Sequence, residues 1–114
     1  MKIVKKQDSK EFKNSKTCIA TEYPINDEDI DISIIRLVNS RYPLKGWVVN
    51  KICKEMSYIV SGGVKLVTEA ESVNLTAGDA VLLFPDEKYF WQGNCEMIIS
   101  CSPAWTPEQH KLVD

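Results

Sequence analysis

A chain of 114 residues has room for one hydrophobic core and is too short for two domains. Its hydrophobic fraction of 44% beside 26% charged residues, with three Trp, four Tyr and three Phe, excludes disorder over the whole length. The formal net charge of −2 excludes the basic excess with which nucleic-acid binders neutralise phosphates, so no nucleic-acid partner is expected.

The first residues carry a short basic cluster, Lys2, Lys5 and Lys6, with no apolar run of signal-peptide length behind it. The longest apolar stretch, residues 80–84, is the length of a strand and far below a membrane span, so no membrane partner and a cytoplasmic location are expected. Cys18, Cys53, Cys95 and Cys101 form no CxxC pair and read as buried thiols in a reducing compartment.

No internal repeat and no Ser/Gly/Pro-rich linker divides the chain. Residues 1–20 are polar and weakly patterned, either an edge strand or a loose arm. Ile30, Ile32 and Ile34 alternate with Asp31 and Ser33, the period of a half-buried strand. Residues 47–53 and 56–60 are rich in β-branched and aromatic side chains. Gly62-Gly63 then supplies a hairpin turn, with residues 64–68 as the returning strand. Val73 and Leu75 alternate with Asn74, and Gly78-Asp79 marks another turn. Residues 80–84 read as a buried strand stopped by Pro85, and residues 88–91 and 95–101 complete the series on either side of Gly93-Asn94. Short strands with turn signals every eight to twelve residues define an all-β sandwich or barrel. Thr106, Pro107 and Gln109 stand in the order of cap, first-turn proline and capping-box partner, which predicts a short C-terminal helix over residues 107–113.

Two segments carry a family resemblance. Glu55-Met56-Ser57-Tyr58-Ile59-Val60-Ser61-Gly62 and Gly78-Asp79-Ala80-Val81-Leu82-Leu83-Phe84-Pro85, in this order and spacing, resemble the paired motifs of the cupin superfamily over roughly residues 46–101. The resemblance implies a double-stranded β-helix, the cupin jelly-roll barrel, filling residues 21–114, and a homodimer. It also shows what is missing. Cupins usually hold a metal with a His-x-His pair before the glutamate and a third histidine after the proline of the second motif. Here the first pair falls on Val49 and Lys51, or on Val48 and Asn50 under a longer spacing, and the third on Phe90. The chain has one histidine, His110, in the tail. A lone carboxylate cannot hold a catalytic transition metal, so no metal site and no cofactor are expected.

Counting back by twos from Glu55 places Cys53, Lys51 and Val49 on one face of an unbulged strand. A carboxyl in that interior is raised in pKa by desolvation and lowered by a Lys51 partner; raised toward neutrality it suits acid/base chemistry, and at the rim it does none. Phe90, between Tyr89 and Trp91, reads either as a stacking wall for a ring compound or as core filling. The resemblance places Trp105 in the tail that crosses the barrel, and His110 reads as a solvated residue near its end. The candidate ligand-binding set is therefore Glu55, Lys51, Cys53, Phe90 and Trp105, around a small polar or carbohydrate-like ligand. A metal-independent isomerase or epimerase is the alternative, and a metal-dependent dioxygenase the weaker one.

Overall fold

The computed structural model describes residues 1–114. Nine strands form one curled antiparallel sheet: β1 (Lys10–Ser15), β2 (Cys18–Glu22), β3 (Ser33–Tyr42), β4 (Trp47–Asn50), β5 (Lys54–Thr68), β6 (Ser72–Thr76), β7 (Ala80–Leu83), β8 (Lys88–Ser102) and β9 (His110–Val113). The spine is β8. Along one of its edges lie β3 and then β4, and along the other β5 runs from Lys54↔Ser102 to Thr68↔Tyr89. β2 and β1 extend the sheet beyond β3, β9 beyond β4, and β7 and β6 take successive halves of the outer edge of β5.

Every second side chain of β8 points inward: Tyr89, Trp91, Cys95, Met97, Ile99 and Cys101 are all buried. On β5 the inward row is Glu55, Ser57 and Ile59, and then Val64 and Leu66. The parity changes because the ladder shifts register between Ile59 and Ser61. A bulge of this kind adds a residue to one strand and flips every later side chain to the other face.

That shift overturns the expected hairpin at Gly62-Gly63, since β5 is one continuous strand of 15 residues. Gly62 has φ +80°, and a Cβ there would fall inside van der Waals contact with the Asn94 backbone carbonyl. Gly93, on the facing strand, has φ +155°, and its own Cβ would press on the Gly63 backbone. The glycines mark a corner where two long strands bend against each other at close backbone approach, not a turn. For the same reason residues 88–91 and 95–101 belong to a single strand.

Three further expectations change. Ile30 and Ile32 precede β3 and are largely exposed, so the strand begins at Ser33. β7 is an edge strand in which only Leu83 is buried, and not a buried strand. The expected C-terminal helix is one 3-10 turn, Pro107–Gln109, followed by β9. Thr106 makes no side-chain cap, and the free edge of β4 takes residues 110–113 as its partner from Trp47↔Val113 to Asn50↔His110. A ladder on an otherwise open edge outweighs the few bonds of so short a helix. Residues 1–20 carry β1 as an edge strand and the beginning of β2, whose Cys18 and Ala20 are buried. No helix of the chain is long and apolar enough to cross a membrane.

Candidate functional site

A cavity of about 200 Å³ opens between the inward faces of β2, β3 and β8 and the tail. Its walls include Ala20, Ile35, Leu37, Met97 and Ile99, with the rings of Tyr42, Tyr89, Trp91 and Trp105. Glu55 lines it and is only 5% exposed.

Glu55 is held by neighbours that donate to it. Asn50 Nδ2 lies 3.2 Å from Oε1, the Tyr89 hydroxyl lies 3.4 Å and 3.5 Å from the two carboxyl oxygens, and the Cys101 thiol lies 4.0 Å from Oε1. Burial raises the Glu55 pKa from its ordinary 4.5 to about 7; the bonds from Asn50 and Tyr89 lower it less than burial raises it, and the charge of Asp31 adds to the rise. Tyr89→Phe removes one stabiliser of the carboxylate, so Glu55 is expected to titrate higher still, by roughly half a pH unit. A carbon-13 NMR titration of the Glu55 carboxyl checks this, and an unchanged midpoint in Tyr89→Phe overturns the assigned bond.

Asn50 links this carboxyl to a second proton-handling group. Its Oδ1 accepts from Gln109 Nε2 at 3.3 Å and lies 2.8 Å from His110 Nδ1. With Nδ2 of Asn50 directed to Glu55, Oδ1 is the acceptor, so His110 carries its proton on Nδ1. Nε2 then accepts from the Tyr42 hydroxyl at 3.0 Å. Burial lowers the His110 pKa to about 4 and raises that of Tyr42 to about 12, so both are neutral at pH 7. The Trp105 indole N–H is directed at His110 Nδ1 from 3.3 Å, the same ring nitrogen that faces Asn50.

Of the five side chains singled out from the sequence, the structure brings Glu55 and Trp105 together at this cavity. Cys53 is buried but does not line it. Lys51 and Phe90 lie outside. Lys51 is exposed and pairs with Asp86 at 2.7 Å. Phe90 packs on Trp47 with ring centroids 5.3 Å apart, beneath the Arg41 guanidinium at 3.8 Å. The face count failed because residues 51–53 leave the ladder. Their N–H groups go to Gln109, through its backbone oxygen for Lys51 (2.9 Å) and its Oε1 for Ile52 and Cys53 (3.0 and 3.3 Å). The break rotates Lys51 outward and aims Asn50 at Glu55, the longer of the two spacings.

Asn50, Tyr89, Tyr42 and His110 were not in the candidate set. Tyr89 was within reach of alternation, because it shares the inward parity of Trp91. His110 and Tyr42 lie 68 residues apart and meet only through β9.

The donor set does not fit a transition metal. Where ligands would face Glu55, Asn50 presents its amide N–H and Tyr89 its hydroxyl, both donating to the carboxylate. No three of the chain's His, Cys, Asp and Glu side chains converge as a metal site.

Buried carboxyl, aromatic walls and single-layer curled sheet define a small β-barrel with an internal cavity. The fold is that of the cupins. No protein-family model matches the sequence, and no curated protein matches it. Among solved structures, a variant of Streptomyces Pac13 with uridine is similar over 98% of this chain and 90% of that one, at 20% identity and TM-score 0.87; Pac13 is a nucleoside dehydratase. KdgF from Halomonas sp. is similar over 90% of this chain and 95% of its own, at 13% identity and TM-score 0.75. Bacillus subtilis oxalate decarboxylase matches 99% of this chain with 32% of its own length, at 16% identity and TM-score 0.81.

Proposed function

We propose that this chain binds a small, polar, carbohydrate-like ring compound in the barrel cavity beside Glu55, without a metal. The observation that carries the reading is a carboxyl almost wholly removed from water yet opening onto a cavity walled by aromatic rings. Drug-sized pockets run from about 300 Å³ upward, so a volume of about 200 Å³ suits a single ring. Sugar rings present apolar faces to aromatics and hydroxyls to groups such as Glu55. Uridine bound to Pac13, which shares the fold, supports a ring ligand.

The test is a calorimetric screen of the purified chain against monosaccharides and nucleosides. Binding is expected at one site, weakened at least tenfold in Trp105→Ala, through loss of a stacked ring worth ~1.4 kcal/mol or more. Saturable binding that Trp105→Ala leaves untouched removes the cavity from consideration.

A second reading, a metal-independent isomerase or epimerase, is favoured by one observation: Glu55, titrating near neutrality, shares the cavity with Tyr42 and its His110 partner. Such a pair suits removal and return of a proton. Incubation of candidate sugars in D2O, followed by NMR, would show deuterium entering a C–H position with native protein and not with Glu55→Gln.

We place the protein in the cytoplasm as a homodimer. Four buried free thiols suit a reducing compartment. Met56, Tyr58 and Phe84 stand exposed on the outer side of the sheet near the free edge of β7, a surface that a second copy would cover.

A further inference from the structure

The charge of the cavity is one-sided. Three of its lining side chains are carboxylic acids, Glu22, Asp31 and Glu55, and none is Lys or Arg. The one basic side chain in the wall, His110, is neutral at pH 7 because burial lowers its pKa to about 4. Two of the acids are occupied. Asp31 accepts backbone N–H groups from Cys101 (2.8 Å) and Trp105 (2.9 Å), and Glu55 is held by Asn50 and Tyr89. Glu22, half-buried at the end of β2, accepts no side-chain or backbone donor within the protein, and burial followed by the negative charge of Asp31 raises its pKa. Trp105 is fastened to Asp31 through its backbone N–H, and Trp105 lines the same cavity as these acids.

An anion entering such a cavity loses its hydration and meets no positive charge. An ammonium group entering it donates charge-assisted hydrogen bonds to Glu22, relieves the repulsion between Glu22 and Asp31, and can lie on the face of an aromatic ring. We infer that the cavity selects ring compounds bearing an ammonium group, seated between Glu22, Asp31 and the Trp105 ring, and rejects those bearing carboxylate or phosphate. The inference rests on the cavity being the binding site and adds the charge class of its ligand; amino sugars satisfy both.

Three probes of one ring size separate charge from shape: cyclohexylamine, cyclohexanol and cyclohexanecarboxylate, titrated at pH 7.5 into the full chain and followed by the Trp105 indole N–H resonance. Cyclohexylamine is expected to bind about tenfold more tightly than cyclohexanol, the order of one carboxylate–ammonium contact in a half-buried site. Cyclohexanecarboxylate is expected to show no saturation. Glu22→Gln should bring the amine to the affinity of the alcohol. Should that variant lose its native spectrum, about 0.5 M salt on the unaltered chain reads the same interaction, because screening weakens the amine and leaves the alcohol alone. Equal affinity of amine and alcohol, or binding of the carboxylate, overturns the charge selection while the cavity remains a ring site. If none of the probes shifts Trp105, the cavity reading and the inference fall together.

Discussion

At pH 8 the Glu55→Gln variant is expected to be more stable than the native protein by about 3 kcal/mol, and at pH 4.5 the two should be nearly alike. The sign follows from the raised pKa. Between 4.5, the ordinary value, and about 7, the folded state holds a proton that the unfolded state has released. The stability contributed by Glu55 is therefore complete below pH 4.5 and lost as the pH rises to about 7. Glutamine keeps the shape and the acceptor for Asn50 and Tyr89 but has no charge to bury, so it escapes the loss.

His110 works in the opposite direction. Its pKa falls from 6.5 to about 4 on folding, so the stability it contributes is complete above 6.5 and lost as the pH drops to 4. Between pH 4.5 and 6.5 the two slopes oppose each other, and the native protein should show a shallow profile. In Glu55→Gln the His110 slope stands alone, and stability should climb from pH 4 to 6.5. Glu22, raised in the same direction as Glu55 but half-exposed, adds a smaller fall as the pH rises above 4.5. Urea unfolding at intervals from pH 4 to 8 checks all of this. Parallel curves for variant and native protein would mean that Glu55 ionises in the fold at no cost.

The second large effect is at the corner of the barrel. Gly62→Ala is expected to destabilise the protein by about 4 kcal/mol, at the severe end for a single substitution. Its φ of +80° disfavours any side chain, and the added methyl meets the Asn94 carbonyl, which belongs to the β8 ladder and cannot withdraw. Gly78→Ala is the control. Its φ of +96° carries similar strain, but nothing lies within 4 Å of the Cβ position, so only about 1 kcal/mol is expected there. Equal losses in the two variants would show that backbone conformation alone, and not the approach of β5 to β8, requires glycine at position 62.

The Gly78-Asp79 turn and the stop at Pro85 are local signals, and both stand in the structure, whereas the alternation at Ile30 and Ile32 falls outside any strand. Gly62-Gly63 was ambiguous in kind: a glycine pair between two β-prone runs serves a turn or a bulge equally well, and only the facing Gly93 decides. In the site, Glu55 was legible because the motif places it, and Trp105 because the tail must cross the barrel. Lys51 misled because alternation was counted through residues 51–53, where Gln109 replaces the ladder from 56 or more residues away. No local pattern announces a side chain that substitutes for a strand. His110 was hidden for the same kind of reason, since a capping-type sequence predicted a helix and the open edge of β4 took the segment as a strand instead.

The position of β8 in the chain bears on synthesis. β3, β4 and β5 are all zipped onto it, yet it is made after all three of them. Until it emerges, those three have their shared partner missing and their backbone groups open to neighbours. Folding of the barrel must wait until residues 88–102 have been made, and the interval before that is when a holdase chaperone has most to shield.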